Sequence, residues 1–134
     1  MDDSLRQRAD AGDPAACAQL AKRYFRGRGG ERNYELAVHY FDRAAAAGDV
    51  DALYQLGKCY LKGVGCTRDP EGGVSCLERA ARNNHAAAAL KLGDCFAKGL
   101  GAPQSSELAA WWYRRAAALG DTRAYDALLA LLSS

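Results

Sequence analysis

The sequence predicts an all-α protein built as a right-handed solenoid of about eight antiparallel helices. Two observations support this fold class. A unit recurs every 36 residues, so that 16–29, 52–65 and 88–101 read ACAQLAKRYFRGRG, ALYQLGKCYLKGVG and AALKLGDCFAKGLG. Each unit also carries two stripes of apolar residues spaced four apart, which indicates two amphipathic helices. Such a unit cannot bury its own apolar face, so its copies must stack.

The unit boundaries follow from one column of turn residues. Gly12, Gly48, Asn84 and Gly120 lie 36 residues apart. We treat the chain as a single domain over 1–134, made of a partial second helix, three full repeats and a C-terminal half repeat: 4–11, 12–47, 48–83, 84–119 and 120–134.

The first helix of each unit has a capping residue before it and a leucine in its core column. Asp13, Asp49 and Asp121 occupy the capping position, where a carboxylate can accept from free backbone N–H groups. In the third unit His85 takes that position and is expected to substitute for the carboxylate. The core column consists of Leu20, Leu56, Leu92 and Leu128.

The second helix of each unit begins in the same way and is joined to the first by glycines. Asn33, Asp69 and Ser105 precede the three second helices as caps. Paired glycines permit the turn because positive φ costs them little; they are Gly27 with Gly29, Gly63 with Gly65, and Gly99 with Gly101. Trp112 is expected in the core, whereas Trp111 is expected to point outward, either as an anchor for a partner or as an ordinary surface aromatic.

The last helix, over 121–132, has no following helix to cover it. Leu128 and Leu132 fall in core columns, and Leu129 and Leu131 fall in columns that pack on a second helix elsewhere. Solenoid ends usually carry polar caps. We therefore expect this apolar end to be covered by self-association or by a further segment.

Composition narrows the classes of function. A hydrophobic content of 49% with 25% charged residues is ordinary for a globular protein, and a net charge of +2 gives no reason to expect nucleic acid as a partner. No apolar run is long enough to insert into a membrane. The polar start MDDSLRQRADAGD differs from a secretory signal, so we expect a cytoplasmic protein, or a periplasmic or secreted one only if a signal peptide has been removed.

The five cysteines do not follow a metal-binding pattern. No CxxC pair occurs, and we expect neither a metal nor another cofactor. The register places Cys59 and Cys95 in one column beside the core, so both are expected to be buried and reduced. Cys66 lies in a loop and is expected to be the most reactive thiol.

Catalytic chemistry finds little support. The stretch RGRGGER at 26–32 resembles an RNA-binding or phosphate-binding loop, but its register makes it an interhelix turn. His39 lies on the outer face of a second helix, and His85 lies at a cap. Neither has a serine or cysteine in register to activate, so we expect no enzyme activity.

The stretches LGKCYLKGVGCTRDPEGGVSCLERAA and LGDCFAKGLGAPQSSELAAWWYRRAA resemble the Sel-1-like repeat, a relative of the tetratricopeptide repeat. The resemblance implies a superhelix that serves as a scaffold or adaptor. Some members are secreted, and a disulfide across a spacing of eight residues clasps each repeat. Here Cys17 occupies one half of that pattern and Ala9 the other, so the clasp is absent. This departure favours a reducing compartment.

Stacking of the tetratricopeptide type implies that the first helices line a concave face that binds a peptide or protein. The residues projected onto this face are Lys22, Phe25, Arg26, Tyr54, Lys58, Leu61, Lys62, Leu90, Lys98 and Arg123, together with Asp51, Asp94 and Asp126. Its six basic and three acidic side chains with apolar neighbours suit an acidic, partly hydrophobic segment. The alternatives are an ordinary solvated helix face, an immunity protein that blocks a secreted bacterial toxin and, third, an enzyme acting on cell-wall or β-lactam substrates.

Overall fold

The computed structural model describes residues 3–28, 30 and 32–133, and this part of the chain forms eight α-helices and no strand. The fold is the predicted all-α solenoid. Its helices are α1 (Asp3–Asp10), α2 (Pro14–Arg26), α3 (Tyr34–Ala46), α4 (Val50–Lys62), α5 (Pro70–Arg82), α6 (Ala86–Lys98), α7 (Ser106–Ala118) and α8 (Arg123–Leu132).

The helices pack in chain order, as a stack of helical hairpins does. Helices α2 and α3, α4 and α5, and α6 and α7 form the three hairpins, and each hairpin also packs on the next. Helix α1 lies on α2, while α8 packs on α7 and touches α6. The first helices α2, α4, α6 and α8 therefore form one row, called the first-helix row below.

The predicted caps determine where most of the helices begin. Asp49 accepts from the N–H of Ala52 at 3.0 Å, and Asp13, Asn33, Asp69 and Ser105 cap their helices in the same way. The prediction fails in part at Asp121. Helix α8 begins only at Arg123, after Thr122, which makes no side-chain cap; the carboxylate of Asp121 instead accepts from the N–H of Arg123 at 3.1 Å.

The second glycine of the last two interhelix turns lets one repeat approach the previous repeat closely. Gly65 and Gly101 have φ of +73° and +75°. A Cβ added at Gly65 would meet the carbonyl oxygen of Tyr34 at the start of α3, and one added at Gly101 would meet that of Pro70 at the start of α5. The turn therefore packs directly on the first turn of the preceding second helix. The matching Gly29 lies outside the described residues.

The core follows the columns that the sequence predicted. Leu20, Leu56 and Leu92 are buried. Trp112 is 6% exposed and Trp111 is 52% exposed, so the predicted inward and outward orientations are confirmed.

Helix α8 departs from the predicted core. Leu132 was expected in a core column, but its side chain is 79% exposed. The prediction was wrong because this column is covered from several sides in the interior, and at α8 the described residues offer no second helix to cover it. Leu129 is also 63% exposed, while Leu128 is partly buried.

All five cysteines carry free thiols. Cys59 and Cys95 are buried as predicted, and Cys66 is half-buried in the turn after α4. The Cys17 thiol donates to the carbonyl oxygen of Ala9 at 3.2 Å, so a hydrogen bond joins the two positions between which the disulfide of the resemblance was absent.

Candidate functional site

The structure leaves nearly all of the predicted concave residues at least partly open to solvent. Lys22, Phe25, Tyr54, Lys58 and Leu90 are half-buried. The long side chains near the ends of α2, α4 and α6 and at the start of α8 are exposed: Arg26, Lys62, Lys98 and Arg123.

Leu61 must be removed from this set. Its side chain is 5% exposed and packs toward α5, where a Cβ added at Gly73 would lie 2.8 Å from its Cγ. The sequence placed Leu61 on the open face because its neighbours in the chain lie there. The absence of a side chain at Gly73 instead gives the leucine a buried site between the two helices.

The acidic side chains of the face are largely occupied within the fold. One carboxylate oxygen of Asp51 lies 3.6 Å from the Lys22 ammonium, and the other lies 3.2 Å from Nε2 of His85. Asp94 accepts from the hydroxyl of Tyr113 at 2.6 Å. Burial, followed by this hydrogen bond, raises the pKa of the Tyr113 phenol, so the hydroxyl remains a donor across the physiological range.

Most of the basic side chains have no such carboxylate. Arg123 pairs with Asp121 at 2.6 Å, next to it at the start of α8. Lys58 lies over the ring of Tyr54, 4.4 Å from the centroid, in a cation–π contact. Arg26, Lys62 and Lys98 form no ion pair with any part of the chain that the structure describes. Four of the six basic side chains, Arg26, Lys58, Lys62 and Lys98, are therefore not neutralised by any carboxylate of the described residues.

His85 connects the second and third repeats. Its Nδ1 accepts from the N–H of Ala88 at 3.1 Å, as the expected substitute cap, and its Nε2 faces Asp51. The imidazole also contacts the ring of Tyr54, with a centroid distance of 4.6 Å and an angle of 31° between the two ring planes. An acceptor at Nδ1 requires the proton on Nε2, from which it donates to Asp51. The sequence predicted the cap but not the inter-repeat bond.

A small cavity opens between α2 and α4. It has a volume of about 120 Å³ and is lined by Phe25, Gln55, Lys58, Cys59, Lys62 and Val64. We call it the interhelix cavity. Burial raises the pKa of the Cys59 thiol to about 11, so this thiol stays protonated and adds no charge to the cavity wall.

A larger pocket lies at the N-terminal end of the first-helix row. It has a volume of about 500 Å³ and is lined by Gln19, Lys22, Arg23, Arg26 and Arg28. We call it the basic end pocket. Sequence reasoning missed Arg23 and Arg28. The signal was present, because Arg23 falls in the column of the buried Cys59 and Cys95, and an arginine is tolerated there only where no earlier repeat covers the column.

The opposite end of the solenoid is apolar. A cavity of about 630 Å³ lies between α7 and the end of α8, with Leu108, Trp111, Leu131 and Leu132 among its lining residues. None of the helices in the described residues has the length and apolar character needed to cross a bilayer.

Stacked helical hairpins with an open row of first helices define a helical-repeat protein. The pattern of the Sel1 repeat matches residues 14–49, 50–85 and 86–121, and the chain belongs to the Sel1 repeat family. Members of this family are typically protein–protein interaction scaffolds, and the fold is generally non-catalytic. No curated protein is similar enough to count as a match.

Solved structures of this fold agree with the assignment. A Sel1 repeat protein from Oxalobacter formigenes is 36% identical with a TM-score of 0.82, over 88% of this chain and 49% of that one. A protective antigen of uropathogenic Escherichia coli that displays an SLR fold is 30% identical with a TM-score of 0.87, over 91% of this chain and 26% of that one. The chain thus spans about half of the first relative and about a quarter of the second.

Cysteine rich protein B of Helicobacter pylori shares the fold with a TM-score of 0.72 and 20% identity, over 93% of this chain and 95% of that one. At this level of identity the likeness concerns the fold alone.

Proposed function

We propose that this protein is a non-catalytic scaffold that binds an acidic, partly hydrophobic segment of another protein along its first-helix row. The proposal takes 1–134 as one repeat domain. The observation that carries it is the charge of the row: Lys62, Arg26 and Lys98 are exposed, while Asp51 and Asp94 are engaged inside the fold. Positive charge would steer an acidic segment toward the face, and apolar contacts would hold it there.

The apolar side chains that would hold the segment lie among these charges. Phe25, Tyr54 and Leu90 are half-buried and pack against the core, so their remaining surface is fixed in place before a partner arrives. Ordered side chains lose little conformational freedom on binding, which favours affinity. We also propose that two copies of the chain associate through the exposed leucines of α8. The free thiols of the chain favour a cytoplasmic location.

A charge-reversal experiment tests the binding face. Lys58→Glu with Lys62→Glu is compared with the wild type in affinity capture from the native cell, with captured proteins quantified by mass spectrometry. The control is Arg79→Glu with Arg114→Glu, which makes the same charge change at exposed positions of α5 and α7. Circular dichroism verifies that every variant is folded.

We expect a specific protein to be captured by the wild type and by the control, with at least a tenfold loss for the Lys58 and Lys62 variant, and capture that weakens as salt is added. Equal capture by the two charge-reversed variants would show that the first-helix row is not the binding face.

A further inference from the structure

The basic end pocket and the interhelix cavity are the same site in successive repeats. A shift of 36 residues converts Gln19, Lys22, Arg23, Arg26 and Arg28 into Gln55, Lys58, Cys59, Lys62 and Val64. All five members of the first set therefore have their counterparts in the lining of the second. The two sites face the same side of the row and differ in chemistry.

Two exchanged positions and one added residue change the chemistry of the site, whereas the exchange of Arg26 for Lys62 keeps the positive charge. Arg23 and Arg28 replace Cys59 and Val64, so the end pocket has four cations and no carboxylate among its described lining residues. The interhelix cavity instead gains Phe25 from the preceding helix, which closes it to about 120 Å³. The first site fits several negative charges, and the second fits one apolar side chain between two lysines.

Building on the function proposed above, we propose that the bound segment is extended and carries a carboxylate cluster for the basic end pocket and one apolar residue for the interhelix cavity. Phe25 lines the interhelix cavity and its chain neighbour Arg26 lines the basic end pocket, so the two sites are separated by one helix diameter, roughly 10 Å. An extended chain covers this distance in about three residues, since each residue rises roughly 3.3 Å. The recognised pattern is therefore an acidic cluster with an apolar residue three positions from its edge.

Synthetic fluorescent peptides test this pattern without knowledge of the natural partner. The probes are Glu-Glu-Glu-Gly-Gly-Leu and its reverse order, which present the same pattern in both chain directions. The matched peptides replace Leu by Ser, or lengthen the Gly-Gly spacer to six glycines. Binding is measured by fluorescence anisotropy at several salt concentrations. A single-stranded oligonucleotide of similar charge serves as the competing class of ligand.

We expect one of the two leucine peptides to bind about tenfold more tightly than its serine and long-spacer counterparts, because only a leucine at the right spacing buries its apolar side chain in the interhelix cavity. Arg23→Glu with Arg26→Glu should weaken this binding at least tenfold. The control pair, Arg79→Glu with Arg114→Glu, should change it less than twofold.

A second variant tests the cavity separately from the charge. Gln55→Trp places a large ring at the half-buried wall of the interhelix cavity. In a folded Gln55→Trp variant, the leucine and serine peptides should bind equally, with their salt dependence retained. A persistent preference for leucine would overturn the assignment of the cavity.

Two other outcomes would overturn the proposal. One is tighter binding of the oligonucleotide than of either leucine peptide; the other is peptide binding that is unaffected by the change at Arg23 and Arg26. The proposed function fails separately. If the Lys58 and Lys62 variant loses the natural partner while the Arg23 and Arg26 variant keeps it, the first-helix row is the binding face and the end pocket is not part of it.

Discussion

At His85, a substitution to the residue that the repeat pattern favours should destabilise the fold. The other units carry aspartate at this position, so His85→Asp restores the residue that the pattern favours. However, the residue of the preceding repeat that contacts this position is not the same in each unit. Asp51 faces His85, whereas the same register places Ala15 opposite Asp49. A carboxylate at position 85 would therefore lie against the carboxylate of Asp51.

The magnitudes follow from the contacts. Two carboxylates about 4–5 Å apart repel by about 1–2 kcal/mol at a half-exposed site, where the effective dielectric lies toward that of water. The new aspartate keeps the helix cap but loses the ring contact with Tyr54, so His85→Asp should destabilise the fold by about 1–2 kcal/mol through the repulsion and by about 0.5–1.5 kcal/mol through the lost contact. His85→Ala loses a cap worth about 1 kcal/mol and the ring contact with Tyr54, worth about 0.5–1.5 kcal/mol.

The decisive comparison is Asp51→Ala in two backgrounds. In the wild type this change removes the bond to His85 and the exposed ion pair with Lys22, and it should cost about 1 kcal/mol. In the His85→Asp background it removes the repulsion and reproduces the combination of Ala15 and Asp49, so it should stabilise the fold by about 1 kcal/mol.

Urea denaturation of the wild type, the three single variants and the Asp51→Ala, His85→Asp double variant, followed by circular dichroism, gives the free energies of unfolding. Amide exchange at Ala88 reports the cap itself, and protection there should fall in His85→Ala but not in His85→Asp. A destabilising effect of Asp51→Ala in both backgrounds would refute the reasoning, because it would show that the two positions are not coupled.

Three further predictions concern the core, the thiols and the end of the solenoid. Gly93→Ala should lower the free energy of unfolding by about 1–3 kcal/mol, because the new Cβ would lie 2.6 Å from the ring of Tyr113; a gain in stability, as helix propensity alone predicts, would contradict this packing. A thiol reagent should label Cys66 faster than Cys95, whose pKa burial raises to about 11, and labelling of Cys95 should accelerate as the pH rises toward that value; faster labelling of Cys95 at neutral pH would contradict the register. Sedimentation should show self-association of the wild type and its loss in Leu129→Glu, whereas two monomeric proteins would mean that the exposed leucines are tolerated.

The sequence predicted the features that repeat. The helix pairs, their caps and their buried columns recur every 36 residues. Each feature can therefore be inferred from several copies, and one atypical residue does not change the prediction. Asn84 shows how this works: it stands in a glycine column, its φ is +67°, and asparagine tolerates that conformation better than most residues. The sequence also predicted which residues of the first-helix row are open to solvent in most cases, because a position outside the buried columns is exposed.

The features that the sequence did not predict occur once and depend on a neighbouring element. Leu61 is buried because the facing helix carries Gly73. The residue pattern of a single helix does not show which residues face it on the next helix. Arg23 is accessible because α2 begins the first-helix row, and Leu132 is exposed because α8 ends the described part of it. A prediction from aligned repeats assumes that every repeat has a neighbour on both sides. Its errors at Arg23 and Leu132 therefore fall at the two ends of the row.

Departures from the repeat pattern occur in contacting pairs. His85 departs from an aspartate column and faces Asp51, whose counterparts are Ala15 and Ala87 in the neighbouring units and Arg123 in the last half repeat. Asp94 stands where the two preceding repeats have Lys22 and Lys58, and it accepts from Tyr113, which alone in its column carries a hydroxyl group. Each departure supplies what its partner needs, a donor for an acceptor or an acceptor for a donor. Arg23 and Arg28 depart from their columns in the same direction, both toward positive charge, and the described residues of their pocket supply no carboxylate to match. Arg23 and Arg28 are therefore the exception among these departures. The carboxylates that would pair with them would come from a partner outside the chain.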